Sequence, residues 1–303
     1  MIHHLLQERF YLLQVDMESH HLCMEMMLVN NNKVRHNMEK VVTVSSNTLK
    51  QSIKVKDILT QKLNEAGYYV SNKIEKNTEL LISIGGDGSF LKTVHRFNFI
   101  EVPVLAINTG HLGFLAELSP NQIDDFIKAY TNDKYFIQKV RPLEATICTK
   151  NQSIDITAIN EIVIKNIKSR TVHLDLKVNG IKIESFSGDG ILISTPIGST
   201  AYNYSAGGSI VDPELNLLQL TPIAPMNTNA YRSFTSSIIL PTTSVITISP
   251  EYDFENSILI VIDGTQYKFT HIDEVRVFKS DKKIHLLRLE GYEFWNRVSE
   301  KFL

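Results

Sequence analysis

The 303-residue sequence contains only two cysteines, Cys23 and Cys148, and they lie far apart along the chain. Two distant cysteines form neither a disulfide framework nor a zinc site, and such scarcity is typical of a reducing compartment. We therefore expect a cytoplasmic protein.

A charge excess of either sign is also absent, because 31 lysines and arginines stand against 33 aspartates and glutamates. Proteins that bind the phosphate backbone of nucleic acids usually carry a strong positive charge. No apolar run approaches the roughly eighteen residues that a membrane-spanning helix needs, and charged residues interrupt the N-terminal stretch that an export signal would require. We expect neither a nucleic acid nor a membrane as a partner.

What is present is an ordinary globular composition, with 43% hydrophobic and 21% charged residues, preceded by an unusual leading segment. The first 38 residues hold six of the seven methionines and five of the ten histidines. The paired histidines do not predict a metal site, since adjacent residues on a helix point in different directions. We interpret residues 1–37 as an extension of unknown role.

From Met38 onward, the hydrophobic pattern alternates between strands and helices. Buried strands are predicted at residues 80–84 and 102–107, with a helix at 89–97 between them. A β-rich run at 41–44 and a helix from about 47 to Gly67 precede them. Ser119–Gln122 has the pattern of a capping box that starts another helix. This order predicts an α/β domain over residues 38–135.

Beyond Tyr135, the periodicity changes to the alternation of β-strands. Apolar residues recur at every second position in runs such as Val172–Val178, which leads into the hairpin turn signal Asn179-Gly180. Similar runs continue as far as Phe278. We predict a β-rich domain over residues 136–280 and a C-terminal tail, 281–303, that packs back on the first domain.

The most informative segment is the turn Gly85-Gly86-Asp87-Gly88, between a predicted buried strand and a predicted helix. Its glycines allow close approach of a ligand, and the following helix start offers free N–H groups and a positive dipole end to phosphate oxygens. A carboxylate among phosphates is unfavourable unless it accepts a proton from an attacking hydroxyl or helps to hold a divalent cation. The alternative is that Asp87 only caps the helix.

A second loop, Asn108-Thr109-Gly110-His111-Leu112-Gly113-Phe114, follows the next predicted strand. Loops at the carboxyl ends of neighbouring parallel strands share one crevice, which is where open α/β sheets bind ligands. The two loops are therefore predicted to face one pocket. The alternative is an ordinary turn with Phe114 in the core.

Two further segments carry polar residues where an apolar pattern would be expected. The run from Ser187-Gly188-Asp189-Gly190 through Gly198-Ser199-Thr200 to Gly207-Gly208 is dense in hydroxyls and glycines. Such a loop can bind a polar cofactor, or it can be a strand-to-helix turn capped by Thr200. Asn160-Glu161 interrupts an apolar strand and offers acceptors suited to a ribose diol, unless the pair is an edge-strand polar patch.

Together these segments resemble the bacterial NAD kinase family from about Met38 to the C-terminus. The resemblance rests on five motifs in order, to which Asp263-Gly264 and Phe294-Trp295 can be added. The motifs are Gly85-Gly86-Asp87-Gly88, Asn108 to Phe114, Asn160-Glu161, Gly188-Asp189-Gly190 and Gly198-Ser199-Thr200-Ala201-Tyr202. The resemblance covers the chain without its leading 37 residues.

The resemblance implies transfer of the γ-phosphoryl group of ATP, or of polyphosphate in some members, to the 2′-hydroxyl of the adenosine ribose of NAD. Asp87 would take or orient the hydroxyl proton, and Gly86 and Gly88 would frame the phosphates. Mg²⁺ or another divalent cation would be held mainly by substrate phosphates, since the sequence has no dedicated cage for a metal.

The resemblance also implies where the dinucleotide binds. Asn160 and Glu161 would hold its adenosine end, and Asp189 would reach the nicotinamide amide from a neighbouring subunit, which implies a homo-oligomer, a dimer or a tetramer. An α/β domain followed by a β-sandwich-like domain is the fold of this family. The remaining nucleotide-binding residues would be Phe114, Thr200, Ala201, Tyr202, Asn203, Tyr204 and Ser205.

Three positions differ from the family pattern. Ser187 replaces a frequent arginine, Ile197 replaces a serine or threonine, and Asp212 replaces the histidine of a His-Pro pair. Lys165, Lys168 or Arg170 could supply the missing cation. These differences bear on affinity and donor preference more than on the reaction class.

Two other functions are consistent with parts of the pattern. A lipid kinase of the diacylglycerol type shares the Gly-Gly-Asp-Gly turn, but near-neutral charge and the lack of a basic amphipathic helix after residue 38 count against it. A catalytically silent NAD or NADP sensor would keep the pocket without turnover. The intact turn around Asp87 favours the kinase.

Overall fold

The computed structural model describes residues 40–110, 113–167, 170–229, 232–251, 258–269 and 271–302. The predicted extension at residues 1–37 lies outside the described residues, as do His111 and Leu112 of the second loop and Lys168. Among the described residues, no helix combines the length and the apolar character that crossing a membrane requires.

The first part of the chain alternates strands and helices. In chain order it forms β1 (Val41–Ser46), α1 (Lys50–Glu65), β2 (Tyr69–Ser71), β3 (Thr78–Ile84), α2 (Asp87–Arg96), β4 (Val104–Ile107), a short 3-10 helix (Pro120–Gln122), α3 (Ile123–Thr131) and β5 (Tyr135–Val140). The predicted capping box is confirmed: Ser119 and Gln122 exchange the two reciprocal hydrogen bonds at the helix start.

The rest of the chain is mostly β. It forms β6 (Leu143–Thr149), β7 (Ser153–Ala158), β8 (Glu161–Asn166), β9 (Val172–Val178), β10 (Ile181–Gly188), β11 (Gly190–Ser194), a 3-10 helix (Ile197–Thr200), α4 (Tyr202–Ser205), β12 (Leu217–Ile223), β13 (Ile238–Pro241), β14 (Ile246–Pro250), β15 (Ile258–Ile262), β16 (Thr265–Lys268), β17 (Ile272–Lys279), β18 (Ile284–Leu289) and α5 (Phe294–Phe302).

The first sheet has the order β2-β1-β3-β4-β18-β5, and its strands are parallel except for β5. Helices cover both faces, because Leu59 of α1 and Phe126 of α3 share one apolar cluster whereas Phe90 of α2 belongs to another. Strands β3 and β4 are neighbours and parallel. Their carboxyl ends, where the two predicted loops begin, therefore lie side by side.

The predicted limit of the first domain at residue 135 stays a prediction, while the first sheet includes residues beyond it. Tyr135–Val140 forms β5, whose residues pair with β18 in the first sheet. The first sheet therefore includes Tyr135–Val140, because this strand pairs with residues 284–289. Local periodicity does not reveal a partner so far along the chain.

The second region consists of two six-stranded sheets, β10-β9-β14-β17-β6-β7 and β13-β12-β11-β8-β15-β16. They pack face to face, since Leu174 and Ile248 of one sheet and Ile193 and Ile260 of the other lie in a single buried cluster. The predicted hairpin turn is confirmed, because Asn179 and Gly180 adopt φ values of 51° and 81° between β9 and β10. The predicted α/β region followed by a β-rich, sandwich-like region is also confirmed.

Candidate active site

The glycine turn joins β3 to α2 and leaves its outer surface open. Gly85 has a φ of 145°, and a Cβ there would lie 2.3 Å from Ser89 Oγ, so only glycine fits. Within the described part of the chain, a Cβ at Gly86 or Gly88 would meet no atom of a non-neighbouring residue within 4 Å. The backbone at these two glycines is therefore open to a ligand at the N-terminus of α2.

Asp87 is the first residue of α2, and its carboxylate turns toward the second loop. Its Oδ2 accepts a hydrogen bond from Phe114 N at 2.8 Å, and its Oδ1 accepts one from Leu115 N at 3.2 Å. Gly86 occupies the N-cap position, and no side chain caps this helix. The structure therefore does not support the alternative in which Asp87 only caps the helix.

The second loop is held by its own polar residues at the carboxyl end of β4. Asn108 Oδ1 accepts a hydrogen bond from Gly110 N at 2.8 Å, and Thr109 Oγ1 lies 2.7 Å from Ser52 Oγ of α1. Both side chains are buried. The two predicted loops are thus brought together, as expected, with Asp87 at their junction.

The Phe114 ring packs against α5. It is buried with Phe294 and Val298 of α5, and Phe302 stands 5.3 Å from it between ring centroids. The alternative that placed Phe114 in the core describes its side chain. Its backbone N–H, by contrast, is one of the two donors that hold Asp87.

Asn160 and Glu161 lie at the start of β8, an interior strand between β11 and β15, so they are not an edge-strand patch. Asp263, at the turn between β15 and β16, holds this segment. Its two carboxylate oxygens accept hydrogen bonds from Ile159 N and Asn160 N, both at 2.8 Å. His95 Nε2 of α2 lies 2.7 Å from Asp263 Oδ2 and ties the segment to the helix of Asp87.

Two side-chain oxygens of this pair, Asn160 Oδ1 and Glu161 Oε2, are buried and have no hydrogen-bond partner among the residues that the structure describes. Burial, followed by the negative charge of Asp263, raises the pKa of Glu161 to about 8. An unsatisfied buried polar atom costs free energy, so two of them on consecutive residues indicate a ligand that forms hydrogen bonds with them. A ribose hydroxyl or an exocyclic amine has this chemistry.

The first sheet and the sandwich meet between these two groups. Leu91 of α2, Leu115 of the second loop, Ile159 and Ile197 share one apolar cluster. Leu115 donates its N–H to Asp87, and Ile159 precedes Asn160. This contact places the Asp87 turn and the Asn160-Glu161 pair on two sides of one interface.

The Ile197 side chain packs in that cluster, so its lack of a hydroxyl is explained by a core position. Ser187 is also buried, and its Oγ lies 2.8 Å from His173 Nδ1.

Residues 200–205 differ widely in their exposure. Asn203 is fully buried: Thr221 Oγ1 donates to its Oδ1 at 2.7 Å, and its Nδ2 donates to Ser199 O at 3.3 Å. This side chain shapes the loop from inside. Thr200 and Ala201 are half-buried, while Tyr202, Tyr204 and Ser205 are exposed. Ala201, not Thr200, is the N-cap of α4, so the alternative of Thr200 as a cap is wrong.

Asp189 lies away from the other predicted site residues of the same chain. It is exposed and precedes Gly190 at the start of β11, whereas Glu161 pairs with Ser194 at the far end of that strand. Five residues of strand separate the two positions along β11, or roughly 17 Å at about 3.3 Å per residue. Lys165, one of the candidate cations, pairs with Gly190 at the Asp189 end.

Sequence reasoning missed three features of the site: the contact of Gly113 with Asp87, the bonds from Asp263 to the Asn160 segment, and the buried pair Glu117–Arg288. A signal was available for the last, because an arginine interrupts the apolar run Ile284–Leu289. The Asp263-Gly264 turn was recognisable in the sequence, but the sequence did not show that Asp263 binds the backbone of Ile159 and Asn160.

Comparisons with known proteins agree with this geometry. A family model described as the ATP-NAD kinase N-terminal domain matches residues 12–135, and the ATP-NAD kinase C-terminal domain matches residues 159–289. The chain is 37% identical over 272 residues to an NAD kinase of Finegoldia magna, covering 88% of this chain and 100% of the relative. It is 34% identical over 271 residues to an NAD kinase of Streptococcus gordonii, covering 88% and 97%.

Two solved structures share the fold. Yeast NADH kinase complexed with NADH matches with a TM-score of 0.77 and 24% identity over 87% of each chain. An NAD kinase from Archaeoglobus fulgidus in complex with ATP matches with a TM-score of 0.68 and 24% identity over 86% of this chain and 98% of the other.

Proposed function

The chain belongs to the NAD kinase family, and we propose that it transfers the γ-phosphoryl group of ATP to the 2′-hydroxyl of the adenosine ribose of NAD. The bond between the 2′-oxygen and the γ-phosphorus forms while the bond from that phosphorus to the β,γ-bridging oxygen breaks. The products are NADP and ADP. Neither a silent sensor nor a lipid kinase is favoured, because the relatives with sequence identity over most of the chain are named NAD kinase.

Asp87 is the proposed acceptor of the hydroxyl proton. The observation that carries this role is its pair of hydrogen bonds from Phe114 N and Leu115 N, which fix the carboxylate at the N-terminus of α2. Each oxygen accepts one of these bonds and keeps a lone pair for the substrate hydroxyl. Proton acceptance by a positioned carboxylate contributes about 10²- to 10⁴-fold to a rate.

The open backbone at Gly86 and Gly88 is proposed to bind phosphate oxygens. The free N–H groups of the first turn of α2 point to this space, and the helix dipole favours a negative charge there. Because phosphoryl transfer depends mainly on position and charge neutralisation, binding here would supply much of the catalysis.

Asn160 and Glu161 are proposed to bind the adenosine end of NAD. Asn160 Oδ1 and Glu161 Oε2, which are buried and lack a partner among the described residues, require hydrogen-bond partners, which a ribose hydroxyl and the adenine amine supply. We propose that the half-buried Thr200 and Ala201 and the exposed Tyr202, Tyr204 and Ser205 line the same nucleotide, while Asn203 supports them from the core.

A divalent cation such as Mg²⁺ is proposed as the cofactor, and it would neutralise charge on the transferred phosphates. Among the described residues, no three histidine, cysteine, aspartate or glutamate side chains are grouped as a metal site. Mg²⁺ is commonly bound by one or two carboxylates together with substrate phosphates, and Asp87 offers one carboxylate beside the phosphate-binding turn. The residues present therefore fit a cation that arrives with the nucleotide.

Shared sites in a homo-oligomer, a dimer or a tetramer, are a further part of the proposal. Asp189 is exposed at the end of β11 opposite to Glu161, so it cannot contact the same ligand end in its own chain. A second copy can present it to the nicotinamide end. We also propose a cytoplasmic location, which the scarcity of cysteine supports.

The test is NADP formation from NAD, Mg²⁺ and either ATP or polyphosphate, by the wild type and by Asp87→Asn, with NAD affinity measured for both. We expect turnover by the wild type and a loss of about 10²- to 10⁴-fold in kcat for the variant, with NAD still bound. NAD binding without turnover by the wild type would contradict the proposal and support a sensor.

A further inference from the structure

Arg288 is a buried charge in the middle of an apolar strand. It lies on β18 with 1% of its side chain exposed, and its partner Glu117 is 5% exposed. A buried ion is costly unless it is paired and its hydrogen bonds are satisfied. Arg288 Nη1 donates to Glu117 Oε2 at 3.0 Å, and Nε donates to Gln138 Oε1 at 3.0 Å.

The C-terminal part of the chain holds Glu117 at two further points. Leu289 N donates to Glu117 Oε1 at 2.9 Å, and Arg297 Nη2 of α5 donates to the Glu117 carbonyl at 3.0 Å. The Arg288 guanidinium also stacks on the ring of Tyr292, 4.0 Å from its centroid. The guanidinium is thereby fixed in position and in plane.

The same guanidinium reaches the loop that holds Asp87. Arg288 Nη1 donates to Leu115 O at 3.3 Å, and Leu115 N donates to Asp87 Oδ1 at 3.2 Å. The backbone of Leu115 therefore accepts a hydrogen bond from Arg288 at its carbonyl oxygen and donates one to Asp87 from its N–H. The backbone N–H groups of residues 117 and 118 donate to Ala106 O of β4. Arg288 holds the chain two residues earlier, at Leu115, which is a residue that contacts Asp87.

We infer that Arg288 is a positioning residue for phosphoryl transfer: through Leu115 O it fixes the backbone that aims the Asp87 carboxylate. This inference rests on the proposed role of Asp87. A displacement of about 1 Å at a reacting group can cost about 100-fold in rate, so loosening Leu115 is expected to lower kcat. NAD affinity should change little, because Asn160 and Glu161 are held by Asp263 and not by this network.

The variant to make first is Arg288→Lys. Lysine keeps the charge opposite Glu117, but its single ammonium cannot combine the Nη1 bonds to Glu117 and Leu115 O with the Nε bond to Gln138 and the planar stack on Tyr292. We expect a loss of at least tenfold in kcat with less than a threefold change in the KM for NAD, assayed well below the melting temperature. Glu117→Gln, which removes the counter-ion, is expected to give the same pattern and provides a second variant if the first folds poorly.

Tyr130→Phe is the matched control for a purely structural effect. It removes a partly buried hydrogen bond, 2.8 Å long, from Tyr130 Oη to Glu79 Oε1. Tyr130 belongs to an apolar cluster of the first sheet that does not include the Asp87 loop. We expect this variant to lower the melting temperature while kcat stays within twofold of the wild type. An equal loss of kcat in the control would overturn the inference.

A double variant separates positioning from stability. If Arg288 acts through Asp87, Arg288→Lys should cost little further rate in the Asp87→Asn background, because effects of residues that act as a unit are not additive. The same fold-loss in both backgrounds, or an unchanged kcat in Arg288→Lys, would refute the positioning role. Absence of NADP formation by the wild type would instead refute the proposed function, so the two failures are distinguishable.

Discussion

Gly113 lies directly against the carboxylate of Asp87. A Cβ on residue 113 would lie 1.9 Å from Asp87 Oδ1 and 2.3 Å from its Cγ. The glycine therefore permits the close approach that lets the next two backbone N–H groups, of Phe114 and Leu115, bind the carboxylate. The active-site geometry depends on the absence of one methyl group.

Gly113→Ala is expected to lower kcat by about 100-fold or more, because the methyl group must displace either the Asp87 carboxylate or the loop. Steady-state NADP formation measures the effect. Gly110→Ala is the comparison: among the described residues a Cβ there meets Asn108 Oδ1 alone, at 3.8 Å, so the loss of kcat should be much smaller. Equal activities of Gly113→Ala and the wild type would show that Asp87 does not need its present position.

Glu161 is expected to make the stability of the ligand-free protein depend on pH. Burial, and then the charge of Asp263, raises its pKa from 4.5 to about 8, so the folded protein holds a proton that the unfolded chain releases. This proton favours the folded state at low pH, and the contribution is lost as the pH rises from about 4.5 to about 8.

Glu161→Gln removes that dependence and keeps an acceptor for the Tyr202 N–H. We expect the free energy of unfolding of the wild type to fall relative to the variant by a few kcal/mol between about pH 5 and pH 8.5, at about 1.4 kcal/mol per unit. Urea unfolding at both pH values measures it, with the exposed Glu65→Gln as control. Parallel pH dependence of Glu161→Gln and the wild type would disprove the assignment.

Mixed oligomers test whether Asp189 serves the site of a second subunit. Asp87→Asn and Asp189→Ala should each have low activity alone. When they are unfolded and refolded together, the Asp189→Ala subunit keeps its own Asp87 and receives Asp189 from its Asp87→Asn neighbour, which restores one type of site. We expect activity well above the mean of the two separate variants.

Activity of the mixture equal to that mean, with mixed oligomers demonstrated by native mass spectrometry, would place Asp189 outside the shared site. Each variant refolded alone controls for the procedure.

Elements whose signals are local in the chain were predictable. The turn after β3, the capping box at Ser119 and the hairpin turn at Asn179-Gly180 each need only a few neighbouring residues, and the structure contains all three. That the first two loops share a crevice was also predictable, because the carboxyl ends of adjacent parallel strands must meet.

Pairings between distant residues were not predictable from periodicity. Strand β18 enters the first sheet between β4 and β5, about 180 residues after β4 in the sequence, and it draws residues 135–140 into that sheet. A strand pattern specifies alternation of side chains, but it does not specify which edge the strand joins. Periodicity alone therefore did not show that the first sheet continues beyond residue 135.

The sequence by itself determined the α/β and β-rich regions, the Gly-Gly-Asp-Gly turn, and the family whose motifs the chain carries. These follow from local backbone preferences and from the order of short motifs. Only the tertiary structure decided which contacts hold the site. They are the close approach of Gly113 to Asp87, the hydrogen bond from Asn160 N to Asp263, and the hydrogen bond from Arg288 to Leu115 O. Each contact joins residues distant in sequence or in separate loops, and whether a buried charge finds its partner depends on how those segments pack.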